Sequence, residues 1–373
     1  MEKLSQEVVE DILLRLPVDS LVRCKYVSKH WLSLICNPSF VKLHLKLSKA
    51  KNKGTLILGS FTGLYFSIHD TESAVNENVD DHVLKLEYPF NLEAKIVRFI
   101  GSCDGLILIL LSDSNMLLWN PATRDFKILP GGNIRHSGYF PLCGFGYDEL
   151  TDDYKVVSHG IRMNSRVSEV SIYALRKDSW SVVKMNFSGE DYGTEHPGIF
   201  VSGILHWKVW RHHHTKLTKS SFIISLDLRD EKFREVSLPK LEDGMTSGDL
   251  GVLGGNLCVQ YYSFMNHGFA DVWVMRDYGR VESWTKLFCF KSQLLGSLSH
   301  IKLLQVLKNG DFLLRINGYD LFMYDAKHQR CKVISNTPFR IVEAEAYVQS
   351  IISLGAENGF KRKATRRCKR QRI

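Results

Sequence analysis

Leu118-Trp119-Asn120-Pro121-Ala122-Thr123-Arg124 reads as the end of an aromatic strand running into a polar turn. Large flat side chains suit a pleated, half-buried surface, and Asn-Pro punctuates it. The same unit recurs on both sides. Upstream stands Leu64-Tyr65-Phe66-Ser67; downstream come Ile172-Tyr173-Ala174-Leu175, Ser225-Leu226-Asp227-Leu228, Val272-Trp273-Val274-Met275 and Met323-Tyr324-Asp325-Ala326. Markers at 65, 119, 173, 226, 273 and 324 lie 54, 54, 53, 47 and 51 residues apart. Strand starts of the form Gly203-Ile204-Leu205, Gly255-Asn256-Leu257 and Gly310-Asp311-Phe312 precede the later markers, and following strands end in Leu129-Pro130 or Leu238-Pro239. A period near 50 with three or four strands per unit is the pattern of propeller blades. The physical reason is that a lone four-stranded sheet has two apolar faces and two open edges, and radial stacking buries the first and shortens the second. The spacing predicts a mainly β chain with a β-propeller-like domain of about six blades over residues 54–355, closed by a last strand near Ala346–Leu354 that pairs with the first blade. The competing reading is a β-sandwich with accidental spacing.

Residues 1–48 follow a different rhythm. Val8, Val9, Ile12, Leu13 and Leu16 recur at helical spacing, with Ser5 as N-cap and Pro17 as stop. Further helices are expected over Ser20–Tyr26, from Ser28 through Trp31, Leu34 and Ile35, and over Ser39–Leu47. So few residues cannot hide those apolar stripes alone, so a partner or the next domain must cover part of them.

This stretch resembles the F-box. Its residues are Leu4-Ser5-Gln6-Glu7-Val8-Val9, Ile12-Leu13-Leu14-Arg15-Leu16-Pro17, Ser20-Leu21-Val22-Arg23-Cys24-Lys25, Val27-Ser28-Lys29-His30-Trp31 and Leu34-Ile35. Ser5 departs from the family's usual proline. The resemblance implies docking on a Skp-type adaptor, and through it a cullin, with contacts at Leu4, Ser5, Ile12, Leu16, Pro17, Val18, Leu21, Val22 and Lys25. Trp31, Leu34 and Ile35 are expected to hold the helices together. The alternative is a helical cap with no partner. The remainder resembles the plant F-box-associated domain, of kelch-like size. That resemblance rests on Gly101-Ser102-Cys103-Asp104-Gly105-Leu106, Gly144-Phe145-Gly146-Tyr147-Asp148, Asp152-Asp153-Tyr154-Lys155-Val156-Val157, Gly203-Ile204-Leu205-His206-Trp207 and Ser283-Trp284-Thr285-Lys286. It implies the non-catalytic substrate receptor of an SCF-type ubiquitin ligase, recruiting a target protein whose identity the resemblance does not carry.

Charge points to one end. Of 49 Lys and Arg against 40 Asp and Glu, eight lie in residues 361–373, leaving 41 basic and 40 acidic residues elsewhere. Lys361, Arg362, Lys363, Arg366, Arg367, Lys369 and Arg370 resemble a nuclear localisation signal in a disordered tail, 356–373, which implies residence in nucleus and cytoplasm. The alternative function is a nuclear nucleic-acid-associated protein acting through that tail; the near-neutral remainder argues against it. No signal peptide or membrane-spanning run is expected. No two of the eight cysteines stand within four residues of each other, so no zinc pair is expected. No G-x-S-x-G, G-x-x-x-x-G-K-[ST] or G-x-G-x-x-G is present, and no cofactor is expected. His212-His213-His214 diverge in a loop and lack ligand spacing, and Asp152-Asp153 are read as turn formers.

Overall fold

The computed structural model describes residues 5–51, 55–60, 65–69, 83–86, 96–111, 115–130, 142–158, 168–185, 192–194, 196–212, 219–240, 247–262, 269–291, 301–316, 320–334 and 341–355. Four helices come first. In α1 (Gln6–Leu14) the Ser5 hydroxyl accepts from the Val8 amide at 3.4 Å, the capping its position predicts. Pro17 stops α1, and α2 (Val18–Cys24) starts directly after it rather than at Ser20. Proline lacks the amide that a helix interior needs, but at the cap position that amide has no helical partner to lose. Ser28 caps α3 (Lys29–Ile35), accepting from the Trp31 amide at 3.1 Å. Asn37 accepts from the Ser39 amide at 2.9 Å ahead of α4 (Pro38–Lys51), which runs past the expected end at Leu47.

Six antiparallel sheets follow among the described residues. From the inner strand outward, the second sheet is β4 (Ile96–Cys103), β5 (Leu106–Leu111), β6 (Met116–Asn120) and β7 (Asp125–Ile128). The third is β8 (Cys143–Asp148), β9 (Asp153–Ser158), β10 (Ser168–Ala174) and β11 (Ser179–Met185). The fourth has two short inner strands, β12 (Tyr192–Gly193) and β13 (Ile199–Val201), on β14 (Ile204–His212), then β15 (Lys219–Asp227) and β16 (Lys232–Val236). The fifth is β17 (Ser247–Leu253), β18 (Asn256–Tyr262), β19 (Phe269–Met275) and β20 (Trp284–Lys291). The sixth is β21 (Ile301–Val306), β22 (Phe312–Ile316), β23 (Asp320–Asp325) and β24 (Arg330–Val333). The first sheet joins both ends of the domain: β25 (Ile341–Tyr347) is its inner strand, followed by β1 (Thr55–Ser60), β2 (Tyr65–His69) and β3 (Val83–Leu86). Markers 65, 119, 173, 226, 273 and 324 all fall on the third strand of their sheets.

Inner strands touch in succession, β25 to β4 to β8 to β13 to β17 to β21 and back to β25, so the sheets form a closed propeller. Its core is distributed between neighbouring sheets. In β5, Leu106, Leu108 and Leu110 pack toward the third sheet, while Ile107, Ile109 and Leu111 pack toward the first. Alternate side chains leave a strand on opposite faces, and a blade is covered on both, so a middle strand such as β5 can be apolar at every position. Inner and second strands meet in tight turns such as Asp104-Gly105, whose φ values of 54° and 86° are the left-handed pair a short hairpin prefers.

Ring closure corrects one boundary. Pairing with the first blade occurs as expected, with Thr55 opposite Tyr347 and Leu58 opposite Ala344, but through Ile341–Tyr347 and not Ala346–Leu354. The later residues cannot continue that ladder. The Ser350 and Ile352 carbonyls accept from the Asn120 side-chain amide, at 3.1 and 2.7 Å. Ile351 is thereby turned into the helical module, where it packs with Leu13, Val18, Leu21, Ile35 and Phe40.

Candidate functional site: the helical module and its joint to the propeller

The helices leave apolar side chains in solvent. Val8 and Ile12 are 45% and 46% exposed, Tyr26 and Val27 are 75% and 64% exposed, and Leu32 is 44% exposed. Val8 and Ile12 are four residues apart, hence on one side of α1, while Leu13 on the other side is fully buried. Of the contact residues expected from sequence, Ser5, Ile12 and Pro17 are exposed, and Leu16 and Val22 are half-buried. Leu4 lies outside the described residues. Two expectations are corrected: Val18 and Leu21 are buried at 3% and 0% exposure, in the core between helices, and present no surface to a partner. The resemblance puts both at contact positions, whereas here they pack with Leu13, Ile35, Phe40 and Ile351. Lys25 lines the cleft toward the propeller. Trp31, Leu34 and Ile35 hold the helices together as expected, with Ile35 in the core and the other two packed against it. Tyr26 and Val27, in the turn between α2 and α3 and outside the expected contacts, are the most exposed large apolar residues among the described residues of the module.

One side of the module is held on the propeller. Lys42 on α4 pairs with Asp152 at 2.7 Å, and Lys49 pairs with Asp104 at 2.5 Å. Both carboxylates sit in turns that follow inner strands, β8 for Asp152 and β4 for Asp104. Asp152 also accepts from the Tyr147 hydroxyl and from Arg176, the latter at 2.8 Å. With Lys42 first among these partners, its carboxyl is held well below the usual carboxylate range. Asp152 stands in a turn, as expected, at a left-handed φ of 53°, but its carboxylate joins the module to the propeller where a bond to its own backbone was expected. Asp153 instead accepts from the Arg176 amide at 2.8 Å. His44 is buried and its Nε2 donates to the Leu16 carbonyl at 3.0 Å, stitching α4 to the end of α1. Burial lowers the pKa of this imidazole.

The basic residues 361–373 lie outside the described residues, as do His213 and His214. Among the described residues no group of three His, Cys, Asp or Glu side chains is placed to hold a metal ion, and no helix is long and apolar enough to cross a membrane.

Comparison with known proteins agrees with this architecture. Residues 1–43 match the F-box domain, and residues 64–361 match the F-box associated beta propeller domain. The chain is 29% identical to the F-box protein CPR1 of Arabidopsis thaliana over 366 residues, covering 90% of this chain and 84% of that protein. It is 30% identical to an F-box/kelch-repeat protein of the same plant over 361 residues, covering 93% of this chain and 94% of that one. The propeller match covers well over half of the sequence, and the helices ahead of it are the F-box. The chain belongs to the plant F-box proteins that carry an F-box-associated β-propeller domain.

Proposed function

We propose that the chain is the substrate receptor of a Skp–cullin–F-box ubiquitin ligase: the F-box binds the Skp-type adaptor, and the propeller holds a target protein for ubiquitination. The observation that carries this reading is the apolar surface left on the F-box, at Val8, Ile12, Tyr26, Val27 and Leu32, after its other side has packed on the propeller. Large apolar residues in solvent on so small a module mark a protein-binding face. The contribution of the chain is proximity. A target held on the propeller sits at high effective concentration near the ubiquitin-carrying enzyme, and no covalent chemistry falls to this chain.

Co-purification with a Skp-type adaptor tests the adaptor half. Ile12→Asp places a charge on the exposed face without touching the core, so it should fold normally and lose the adaptor. Retention of the adaptor by folded Ile12→Asp would remove the reading's main support. The basic residues Lys361 to Arg370 are proposed as a nuclear import signal, giving the chain access to nucleus and cytoplasm. A fluorescent fusion lacking 361–373 should leave the nucleus, and an unchanged distribution refutes that assignment.

A further inference from the structure

Each blade ends in an outer strand with one open edge: β3, β7, β11, β16, β20 and β24 in turn. Such an edge offers a row of amide and carbonyl groups to any extended chain, and folded proteins guard it with short length, charge or a bulge. Five of the six are guarded in this way. The strands β3, β7 and β24 have four residues each, with one, two and two charged side chains. Three charges stand in the five residues of β16. The longer β20 carries Lys286 and Lys291 and a register shift against β19. In β11 these guards are missing. It runs seven residues, Ser179–Met185, with Lys184 as its one charge, and it pairs with β10 without a break in register. Among the described residues nothing pairs with its outer edge.

The middle of this edge is apolar. Val182, the fourth of the seven residues, is 60% exposed, the most exposed large apolar side chain described on any strand. Antiparallel pairing of β11 with a second β11, about a two-fold axis at Val182, is the one self-pairing register in which all seven residues meet a partner. Val182 then meets Val182, Ser181 meets Val183 and Ser179 meets Met185. Lys184 meets Trp180, whose ring lies 5.2 Å from that of Tyr173 and whose indole N–H donates to the Pro130 carbonyl. A lysine over a fixed indole is a favourable contact. The same register sets Lys184 diagonally from Asp178, which stands half exposed beside Lys127 at the head of the strand. Opposite charges are thus brought together and like charges are not.

We propose that two copies of the chain associate through their β11 edges, so that the two third blades form one continuous sheet about Val182. A contact of one short strand per copy is small, and the association is correspondingly weak, with a dissociation constant of roughly 1–100 µM. Antiparallel pairing reverses the direction of the propeller axis between the copies. The turns at Asp104 and Asp152 that hold the F-box lie at one end of the blades, so the two F-boxes face opposite ways. The pairing stands whether or not the chain serves a ligase, so it can fail independently of the proposed function.

The test is sedimentation equilibrium of the full chain from about 1 to about 100 µM. Ile12→Asp is run beside it, to separate any association through the exposed apolar face of the F-box. A monomer–dimer equilibrium that Ile12→Asp leaves unchanged is expected. Val182→Lys and Val182→Glu, at an exposed position outside the core, should each weaken dimerisation about tenfold, because the valine pair is lost and like charges face each other across the axis. An equimolar mixture of the two variants should associate about as well as the wild type, because lysine then faces glutamate. A wild type that stays monomeric leaves the edge to an extended segment of another protein and overturns the proposal. A dimer lost with Ile12→Asp, a dimer indifferent to both Val182 variants, or a mixture no tighter than either variant alone overturns it as well.

Discussion

The ammonium of Lys42 lies 2.7 Å from the carboxylate of Asp152, so the last helix of the F-box is tied to a turn of the third blade. Asp152 holds a left-handed φ of 53° there and gathers two further donors, Tyr147 and Arg176. The pair is partly exposed, at 59% for Lys42 and 33% for Asp152. Lys42→Met is therefore expected to cost about 0.5 kcal/mol, fading with added salt, since exposed pairs are weak and screened. Asp152→Ala should cost more, because it also strips Tyr147 and Arg176 of their acceptor. Equal losses in denaturant titration would show that the carboxylate has no role beyond the single ion pair.

Ile351 reaches from the C-terminal segment into the F-box core at 2% exposure. Ile351→Ala is expected to lose about 2–5 kcal/mol from the F-box, as truncation of a buried large apolar side chain does. Hydrogen exchange checks the location. Amides of α1 to α4 should exchange faster while those of β5 stay protected, and uniform acceleration would refute a local role.

His206 is fully buried, with its Nδ1 facing the Ile199 carbonyl at 3.2 Å and its Nε2 the Tyr278 hydroxyl at 2.8 Å. Burial drives its pKa from 6.5 down to about 4. The folded chain then binds fewer protons than the unfolded chain between those values. Stability is complete above about pH 6.5 and falls toward pH 4, by about 3 kcal/mol at most for this one group. His206→Gln should flatten the slope across that window in unfolding titrations, and an unchanged slope assigns it to other groups.

Gly105 has φ +86°, and a Cβ added there would overlap the Ser350 side chain and come within 2.8 Å of the Val348 carbonyl. Gly105→Ala is expected to destabilise by more than the roughly 1 kcal/mol of left-handed strain alone, because the C-terminal segment must shift as well. Ser350→Gly in the same chain should recover part of the loss; no recovery would place the whole cost in the backbone.

Sequence made the ring legible and the joint illegible. Blade strands such as Leu106–Leu111 announce themselves locally, through unbroken apolar runs between Gly and Asn turns. Ser5 and Ser28 are legible for the same reason, because a cap acts within three residues. By contrast, Lys42 and Asp152 lie more than a hundred positions apart, and neither carries a local sign that it has a partner. Val18 and Leu21 match contact positions of the F-box, yet they are buried, since part of what covers them, Ile351, comes from the far end of the chain. The Arg98–Glu343 and Lys302–Glu345 ion pairs are illegible likewise, because they join β4 and β21 to β25, strands that only ring closure brings together.

Because β25 forms one sheet with β1, order of synthesis matters. The F-box and three strands of the first blade leave the ribosome early, yet that blade lacks its innermost strand until residue 347 has been made, and the F-box core lacks Ile351 until slightly later. A nascent or prematurely terminated chain therefore carries an adaptor-type helical module on an unclosed ring, with β1 as an open edge available to chaperones or to other chains. Completion of the propeller and completion of the F-box are coupled through residues 341–355, which makes translation past residue 355 a condition for both.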